Sequence, residues 1–330
     1  MYKIRFNIAD TIIQMESRYR AVIDDIRHPL EKIGKGKNFS PRYRGFIYRQ
    51  KRKAEILIRV DLVDKMPHIR GKENVFVTLH FLDKTENWRL MKRGGEFIYW
   101  SPLEGRQLLA RIDKDFKRFL VYLRPLKMKE TIKLYSKKIV LEWPREKMWD
   151  LSNVIYDFLQ VVLIQYLTGR EGVFIHGMGV RDREKGALVF AAKSGGGKTT
   201  LAKLWHTHRQ GSVYNDDRII IRYKEGSFFI YSNPWHGDFS DYLASCVKAE
   251  ELKRIFFIYH SSKNTMKHLS ANEAFQLLYP CLILPFWDRG RLTDVIDLCE
   301  RMVNTIPCFH MGFRKDNSVI QFVRNTCDTA

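Results

Sequence analysis

The run Ala192-Lys193-Ser194-Gly195-Gly196-Gly197-Lys198-Thr199-Thr200 gathers three glycines, two lysines and two threonines between the apolar stretch ALVFA and the helix-like TLAKLW. That order suits a phosphate. Glycines let successive backbone N–H groups turn inward around anionic oxygens, and a helix starting directly afterwards aims its positive dipole end at the same charge. In such a P-loop (Walker A) arrangement Lys198 reaches the β- and γ-phosphates of a nucleotide, and Thr199 sets its hydroxyl on Mg²⁺. Ser194, Gly195, Gly196, Gly197, Lys198, Thr199 and Thr200 are therefore the expected ATP-binding residues. Ala192 stands where the pattern usually opens with glycine and is small enough to permit the turn. A glycine-rich turn with no ligand is the plain alternative.

Asp216 follows Lys198 by eighteen positions, within Asn215-Asp216-Asp217-Arg218. After a phosphate loop, one helix and a return, the next strand can bring two carboxylates beside the phosphates. One can hold Mg²⁺ while the other accepts a proton from an attacking hydroxyl. Adjacent residues on a regular strand face opposite ways, so such a division of labour needs the irregular geometry of a strand end. A solvated Asx turn between two strands would leave the same residues without chemistry. Downstream, Ser232-Asn233-Pro234-Trp235-His236-Gly237-Asp238 reads as a polar turn. Its Trp235 and His236 either flank a nucleotide or phosphoacceptor, or belong to a surface turn with Trp235 tucked into the core. A zinc site at His236 and Asp238 lacks a third ligand at suitable spacing.

His176 in VFIHGMGV, the strand GALVFAAK, the loop SGGGKTTLA and the strand DDRIII together resemble the catalytic domain of HPr kinase/phosphorylase. The likeness is strongest over residues 172–221 and extends to about residue 324, where SNPWHGD and LKRIFFI look like the HPr-kinase-like kinases found beside peptide-modifying enzymes. It implies an α/β, mixed-sheet P-loop kinase core shared with phosphoenolpyruvate carboxykinases, with the double aspartate just after the first helix. It also implies that His176 lies near the reacting phosphoryl group, as an alternative to a buried, satisfied strand histidine. Asp216, Asp217, His176 and Lys198 are then the catalytic set, and Thr199, Asp216 and Asp217 the metal ligands. Residues 1–145 do not resemble the N-terminal domain of the bacterial HPr enzymes, and the family's glycine- and arginine-rich signature after the DD strand has no counterpart.

The elements that must position these groups follow from periodicity. Up to Trp143 short alternating or β-branched runs dominate, at Glu55–Leu62, Asn74–Leu82, Glu96–Trp100 and Thr131–Trp143. A smaller, mostly β N-terminal domain over 1–143 is expected. Leu108, Leu109, Ile112, Phe116 and Phe119 recur at helical spacing and predict a helix over Leu103–Phe119. Pro144 opens a second predicted helix that Gly169 would stop in a left-handed cap, and marks the start of the catalytic domain, 144–330. Beyond it strands and helices mix: strands at Gly172–Val180, Gly186–Ala192, Ser212–Tyr214, Arg218–Tyr223 and Ser227–Tyr231, and helices at Gly197–His208, Ala271–Leu278 and Leu292–Thr305.

The composition is that of a folded chain: 330 residues, 45% apolar and 28% charged, which rules out disorder and fibrous repeats. The formal charge of +20 is uneven, because residues 1–145 carry a surplus of 17 and the rest a surplus of 3. The basic half is expected to recruit the acceptor, an acidic peptide, a protein or a small molecule. A competing reading is a nucleotide-regulated ATPase or binding protein that holds nucleic acid, since Arg42, Arg44, Arg49–Lys53 and Lys92-Arg93 interleave with Tyr43, Phe46 and Tyr48. The start MYKIRFNIADTIIQM carries charges where a secretory signal needs an apolar run. The apolar run Val154–Leu167 contains Asp157 and is too short for a bilayer, and the five cysteines show no C-x-x-C pair. A cytoplasmic protein with reduced thiols and no membrane span is expected, its oligomeric state left open, homo-oligomers included.

Overall fold

The computed structural model describes residues 1–22, 43, 45–69, 73–79, 85–102, 107–125, 129–134, 137–142, 147–239 and 248–328. The protein is α/β with mixed sheets, and among the described residues six α-helices are present. It divides into two compact units. The first comprises Met1–Asn7, Thr11–Ser40 and Ile47–Val162, and the second Ile8–Asp10, Pro41–Phe46 and Leu163–Ala330. The division therefore passes between Val162 and Leu163, further along than the Trp143/Pro144 boundary expected from the sequence.

In chain order the first unit carries β1 (Tyr2–Ile8), β2 (Thr11–Ser17), β3 (Arg20–Val22), β4 (Ile56–Leu62), β5 (Glu73–Leu79) and β6 (Glu86–Arg93). There follow β7 (Glu96–Ser101), β8 (Leu108–Ile112), β9 (Arg118–Leu123), β10 (Lys129–Leu134), β11 (Lys137–Glu142), β12 (Met148–Asp150) and the short helix α1 (Ser152–Ile155). Eight strands form one sheet in the order β1-β2-β4-β9-β8-β7-β6-β5. The step from β2 to β4 and the step from β4 to β9 are parallel, and the run from β9 to β5 is an antiparallel meander. The alternation on β4, with Ile56, Ile58, Val60 and Leu62 buried and Arg59 exposed, is the period of a half-buried strand.

One sequence expectation fails here. The helix predicted over Leu103–Phe119 is instead β8, a turn and the start of β9; residues 103–106 lie outside the described residues. Its apolar spacing fits a helix, but Asp113 closes a turn, accepting on Oδ1 from the N–H groups of Lys117 (2.8 Å) and Arg118 (3.2 Å). Phe116 takes φ 51°, which no right-handed helix allows. The β-branched run expected over Thr131–Trp143 contributes to the hairpin β10–β11, with residues 135, 136 and 143 outside the described residues.

Helix α2 (Phe158–Thr168) leads into the second unit, whose chain order is β13 (Gly172–Asp182), β14 (Gly186–Ala191), α3 (Lys198–Thr207), β15 (Gly211–Asn215), β16 (Arg218–Lys224) and β17 (Ser227–Tyr231). It continues with β18 (Glu250–His260), β19 (Thr265–His268), α4 (Ala271–Leu278), β20 (Leu282–Ile283), α5 (Arg289–Thr305), β21 (Cys308–Phe313) and α6 (Ser318–Asp328). The single helix expected to start at Pro144 begins later and is broken between α1 and α2. Gly169 does not take a left-handed conformation; Glu171 does, at φ 53°. A Cβ at Gly169 would come 2.3 Å from the Arg291 guanidinium, so a larger residue there would have to displace the flexible end of that side chain.

The second unit's nine strands run β14-β13-β16-β17-β18-β21-β19, with β15 and β20 added to β13 and a further pairing of β14 with β18. Two cores lie on its strands. Ile175, Val189, Ile255 and Phe257 pack with Ala274 and Leu278 of α4 and with Leu298 and Met302 of α5. Phe190, Phe256 and Phe309 pack with Leu201 and Trp205 of α3 and with Val319 and Val323 of α6. The three phenylalanine rings form a stacked ladder across β14, β18 and β21, at 4.9 and 5.5 Å, which Trp205 joins at 5.2 Å. Buried Asp182, the last residue of β13, then fastens both helices of that second cluster: Trp205 Nε1 donates to it at 3.0 Å and Arg324 pairs with it at 3.0 Å. Helix α3 is thus held at its C-terminal half, which fixes where its N-terminus points. Ser270 and Glu273 form a capping box that starts α4.

Candidate functional site

The glycine-rich loop leaves β14 and enters α3. Gly195 and Gly197 have φ of 80° and 97°, a region costly to any residue with a Cβ, and Gly197 is the N-cap of α3. A Cβ on Gly196 would lie 2.4 Å from the Ala192 Cβ. The alanine in place of the usual first glycine is therefore tolerated because Gly196 has no side chain. The first turn of α3 holds no acidic residue and no side-chain cap, so its leading N–H groups lack intrahelical partners and face an anion's preferred place. Ser194 and Gly195 are exposed at the tip, and Thr199 and Thr200 are half-buried in that first turn.

Lys198 is buried, its ammonium donating to the carbonyls of Ala192 (2.9 Å) and Lys193 (3.1 Å). Burial lowers its pKa, against the opposing pull of Asp217, Cys281 and Asp216. The lysine is thus beside both aspartates electrostatically, although its hydrogen bonds go to the loop.

The acidic pair sits between β15 and β16, at the strand end that a division of labour requires. Asn215 makes the bend: its side-chain oxygen accepts from the N–H groups of Asp217 (2.9 Å) and Arg218 (3.0 Å), an Asx turn. Its amide donates to the Trp235 carbonyl at 2.9 Å, tying the bend to the following turn. An Asx turn is present and separates the two carboxylates, but it is not the solvated turn considered as an alternative, because Asn215 and Asp216 are fully buried. Asp216 is fully buried and accepts from Gly237 N (2.8 Å), Phe239 N (3.2 Å) and the Thr199 hydroxyl (3.2 Å). Asp217 is half-buried; His176 Nε2 donates to one oxygen at 2.8 Å and Arg218 Nε lies 3.3 Å from the other.

Burial pushes the Asp217 carboxyl up, but the His176 hydrogen bond and the charges of His176, Arg218 and Lys198 outweigh it and hold the group below the ordinary carboxylate range. His176 reaches Asp217 because β13 pairs with β16 through His176↔Arg218 and then passes to β14 from Gly177 onward. Gly177 N also donates to the Asp217 carbonyl at 2.9 Å. Of the residues singled out in the sequence, the structure brings Thr199 to Asp216 and His176 to Asp217.

No protein-family model and no curated protein matches the chain. Among the described residues no group of three or more His, Cys, Asp and Glu side chains is placed to hold a metal ion alone. No helix among them is long and apolar enough to cross a membrane.

Sequence reasoning missed several members of this neighbourhood. Arg218 pairs with Asp217, Gly237 and Phe239 supply backbone donors, and Cys281 lies close enough to Lys198 to feel its charge. The Asn-Asp-Asp-Arg order carried a signal for Arg218 and the turn Ser232–Asp238 one for Gly237; Cys281 is far away in the chain. Trp235 is buried and its ring lies 6.0 Å from that of Phe174, so it belongs to the core and does not flank a ligand. Tyr43 and Phe46, two of the three aromatics offered for base stacking, are buried. Arg42 and Arg44 lie outside the described residues, and Arg49, Lys92 and Arg93 are exposed.

Proposed function

We propose that the protein is a Mg²⁺- and nucleotide-dependent phosphotransferase, moving the γ-phosphoryl group of ATP to a Ser-type hydroxyl of a peptide, a protein or a small molecule. The observation that carries this reading is the 3.2 Å contact between Thr199 and Asp216, which joins the glycine-rich loop to the acidic pair. The fold it implies is a P-loop kinase core of the HPr kinase type.

In this reading the backbone N–H groups of Gly195 to Thr199 and the Lys198 ammonium hold the phosphates. Lys198 would exchange its carbonyl partners for phosphate oxygens. Thr199 has its hydroxyl hydrogen committed to Asp216, which leaves the oxygen lone pairs for a cation, so Thr199 and Asp216 fit a Mg²⁺ that arrives with the nucleotide. Bound there, the cation would neutralise charge on the β- and γ-oxygens. Asp217, ionised at neutral pH and oriented by His176, is the group placed to take the acceptor's proton, with His176 as its hydrogen-bond partner. A hydrolase shares the loop and can use the same base on water, so acceptor phosphorylation is what separates the two. The excess positive charge of residues 1–145 supports recruitment of an acidic acceptor.

The test is calorimetric titration with ATP and Mg²⁺, together with mass spectrometry of candidate acceptors incubated with protein, ATP and Mg²⁺. Lys198→Ala should abolish transfer and weaken ATP binding, and Thr199→Ala should raise the Mg²⁺ concentration needed. Wild-type turnover by Lys198→Ala would remove the assignment.

A further inference from the structure

β14, β18 and β21 run parallel, with Ala191 opposite Phe257 and His260 opposite Phe313, so their carboxyl ends share one edge of the sheet. Ligands of α/β sheets bind outside that edge. The glycine-rich loop leaves it from β14, and His260 and Phe313 end the two neighbouring strands. Phe256 and Ile258 pack on the α3 side, and the two-residue period of a strand puts His260 on that side too.

The loop and the two rings are in close quarters. A Cβ on Gly197 would fall 2.6 Å from a His260 ring carbon and 2.5 Å from the Phe313 ring. The rings of His260 and Phe313 are 5.2 Å apart; Phe313 is fully buried, whereas His260 is exposed. One flank of the imidazole therefore rests on the protein, and the rest is open beside the loop.

Strand order gives the direction. The acidic pair lies between β15 and β16, both partners of β13, while β18 pairs with β14. Since β13 and β14 are neighbours, the carboxylates and His260 stand on opposite sides of the loop. A triphosphate whose γ end is directed at Asp216 and Asp217 must extend its nucleoside end the other way, toward β18.

We infer that His260 is the nucleobase-stacking residue of this site, a role that rests on the phosphotransferase reading above. Its imidazole offers a flat face to the base and leaves the phosphates to the loop. The supporting wall is Phe313, which keeps the ring from folding back onto the protein.

The experiment is calorimetric titration of the full chain with ATP and, separately, with inorganic tripolyphosphate, both with Mg²⁺, for the wild type, His260→Ala and His260→Phe. The expected result is ATP binding about tenfold weaker in His260→Ala, the size of effect that loss of one stacking partner produces. His260→Phe should restore it, and tripolyphosphate affinity should be the same in all three. Unchanged ATP affinity in His260→Ala would overturn the assignment. So would an equal loss for ATP and tripolyphosphate, which would place His260 on a phosphate. If the wild type binds tripolyphosphate but not ATP, the base subsite is refuted while the anion loop stands. If it binds neither, the nucleotide reading itself falls and this role with it.

Discussion

Replacing Asp216 by asparagine removes a charge and little else, so its effect can be worked out from three hydrogen bonds that the carboxylate accepts among the described residues. Gly237 N reaches one oxygen; Phe239 N and the Thr199 hydroxyl reach the other. An amide has one acceptor end. Whichever way it is turned, its NH₂ group meets a backbone N–H, because Thr199 can rotate to accept but neither Gly237 nor Phe239 can. A buried donor left without a partner costs about 1–3 kcal/mol, and the surviving bonds lose the charge that strengthened them. Asp216→Asn should therefore destabilise the protein by about 2–3 kcal/mol, a melting shift of about 4–12 °C for a unit of this size. Asp217→Asn should behave differently. Its partners are the half-exposed His176 and Arg218, whose attraction is screened by solvent, so its melting temperature should fall by only a few degrees. Scanning calorimetry at pH 7 on the two variants and the wild type measures this directly, with acceptor phosphorylation and its Mg²⁺ dependence measured alongside. Asp216→Asn should lose stability and raise the Mg²⁺ requirement, whereas Asp217→Asn should lose turnover with stability nearly intact. Equal melting temperatures for Asp216→Asn and the wild type would refute the role given to the buried carboxylate.

Asp217 has a depressed pKa in the folded protein, so the stability its pairing supplies is present above the unfolded carboxylate value and is lost as pH falls through the folded one. His176→Ala removes the strongest opponent of burial and should move the acid limb of the phosphorylation–pH profile upward; an unmoved limb would show that the two groups are not coupled. Gly196→Ala should weaken ATP binding at least tenfold through the 2.4 Å approach to the Ala192 Cβ, and adding Ala192→Gly should recover part of it in the same titration. Arg324→Met leaves buried Asp182 without its cation and should cost about 3–5 kcal/mol, with Asp182→Asn in the same chain returning part of the melting temperature.

What the sequence revealed depended on how local each signal is. Strand, glycine-rich loop and helix stand together over Gly186–Thr207, and every one of those residues carries its own propensity. The acidic pair was legible for the same reason, though the bend that parts Asp216 from Asp217 depends on Asn215 bonding to two following N–H groups. Over Leu108–Phe119 helical spacing was present without a helix, since a single carboxylate, Asp113, captured two N–H groups and turned the chain. The role proposed for His260 was not legible, because its place beside the loop comes from the parallel alignment of β18 with β14 across a long stretch of chain. The burial of Trp235 and Tyr43 was equally hidden: an aromatic beside polar residues has the same local pattern inside a core or outside it.

The eleven residues of β13 pair with β16 up to His176 and with β14 from Gly177, besides the added strands β15 and β20. Side chains on a strand alternate, so one residue deleted between Gly172 and Ile175 would invert the side chains on one side of the deletion relative to those on the other. Insertions and deletions in that segment should be far less tolerated than substitutions, and a pair of residues should be tolerated better than one. The strand acts as a ruler, setting the spacing between Asp217 and the glycine-rich loop, the two parts that the proposed transfer would need in register.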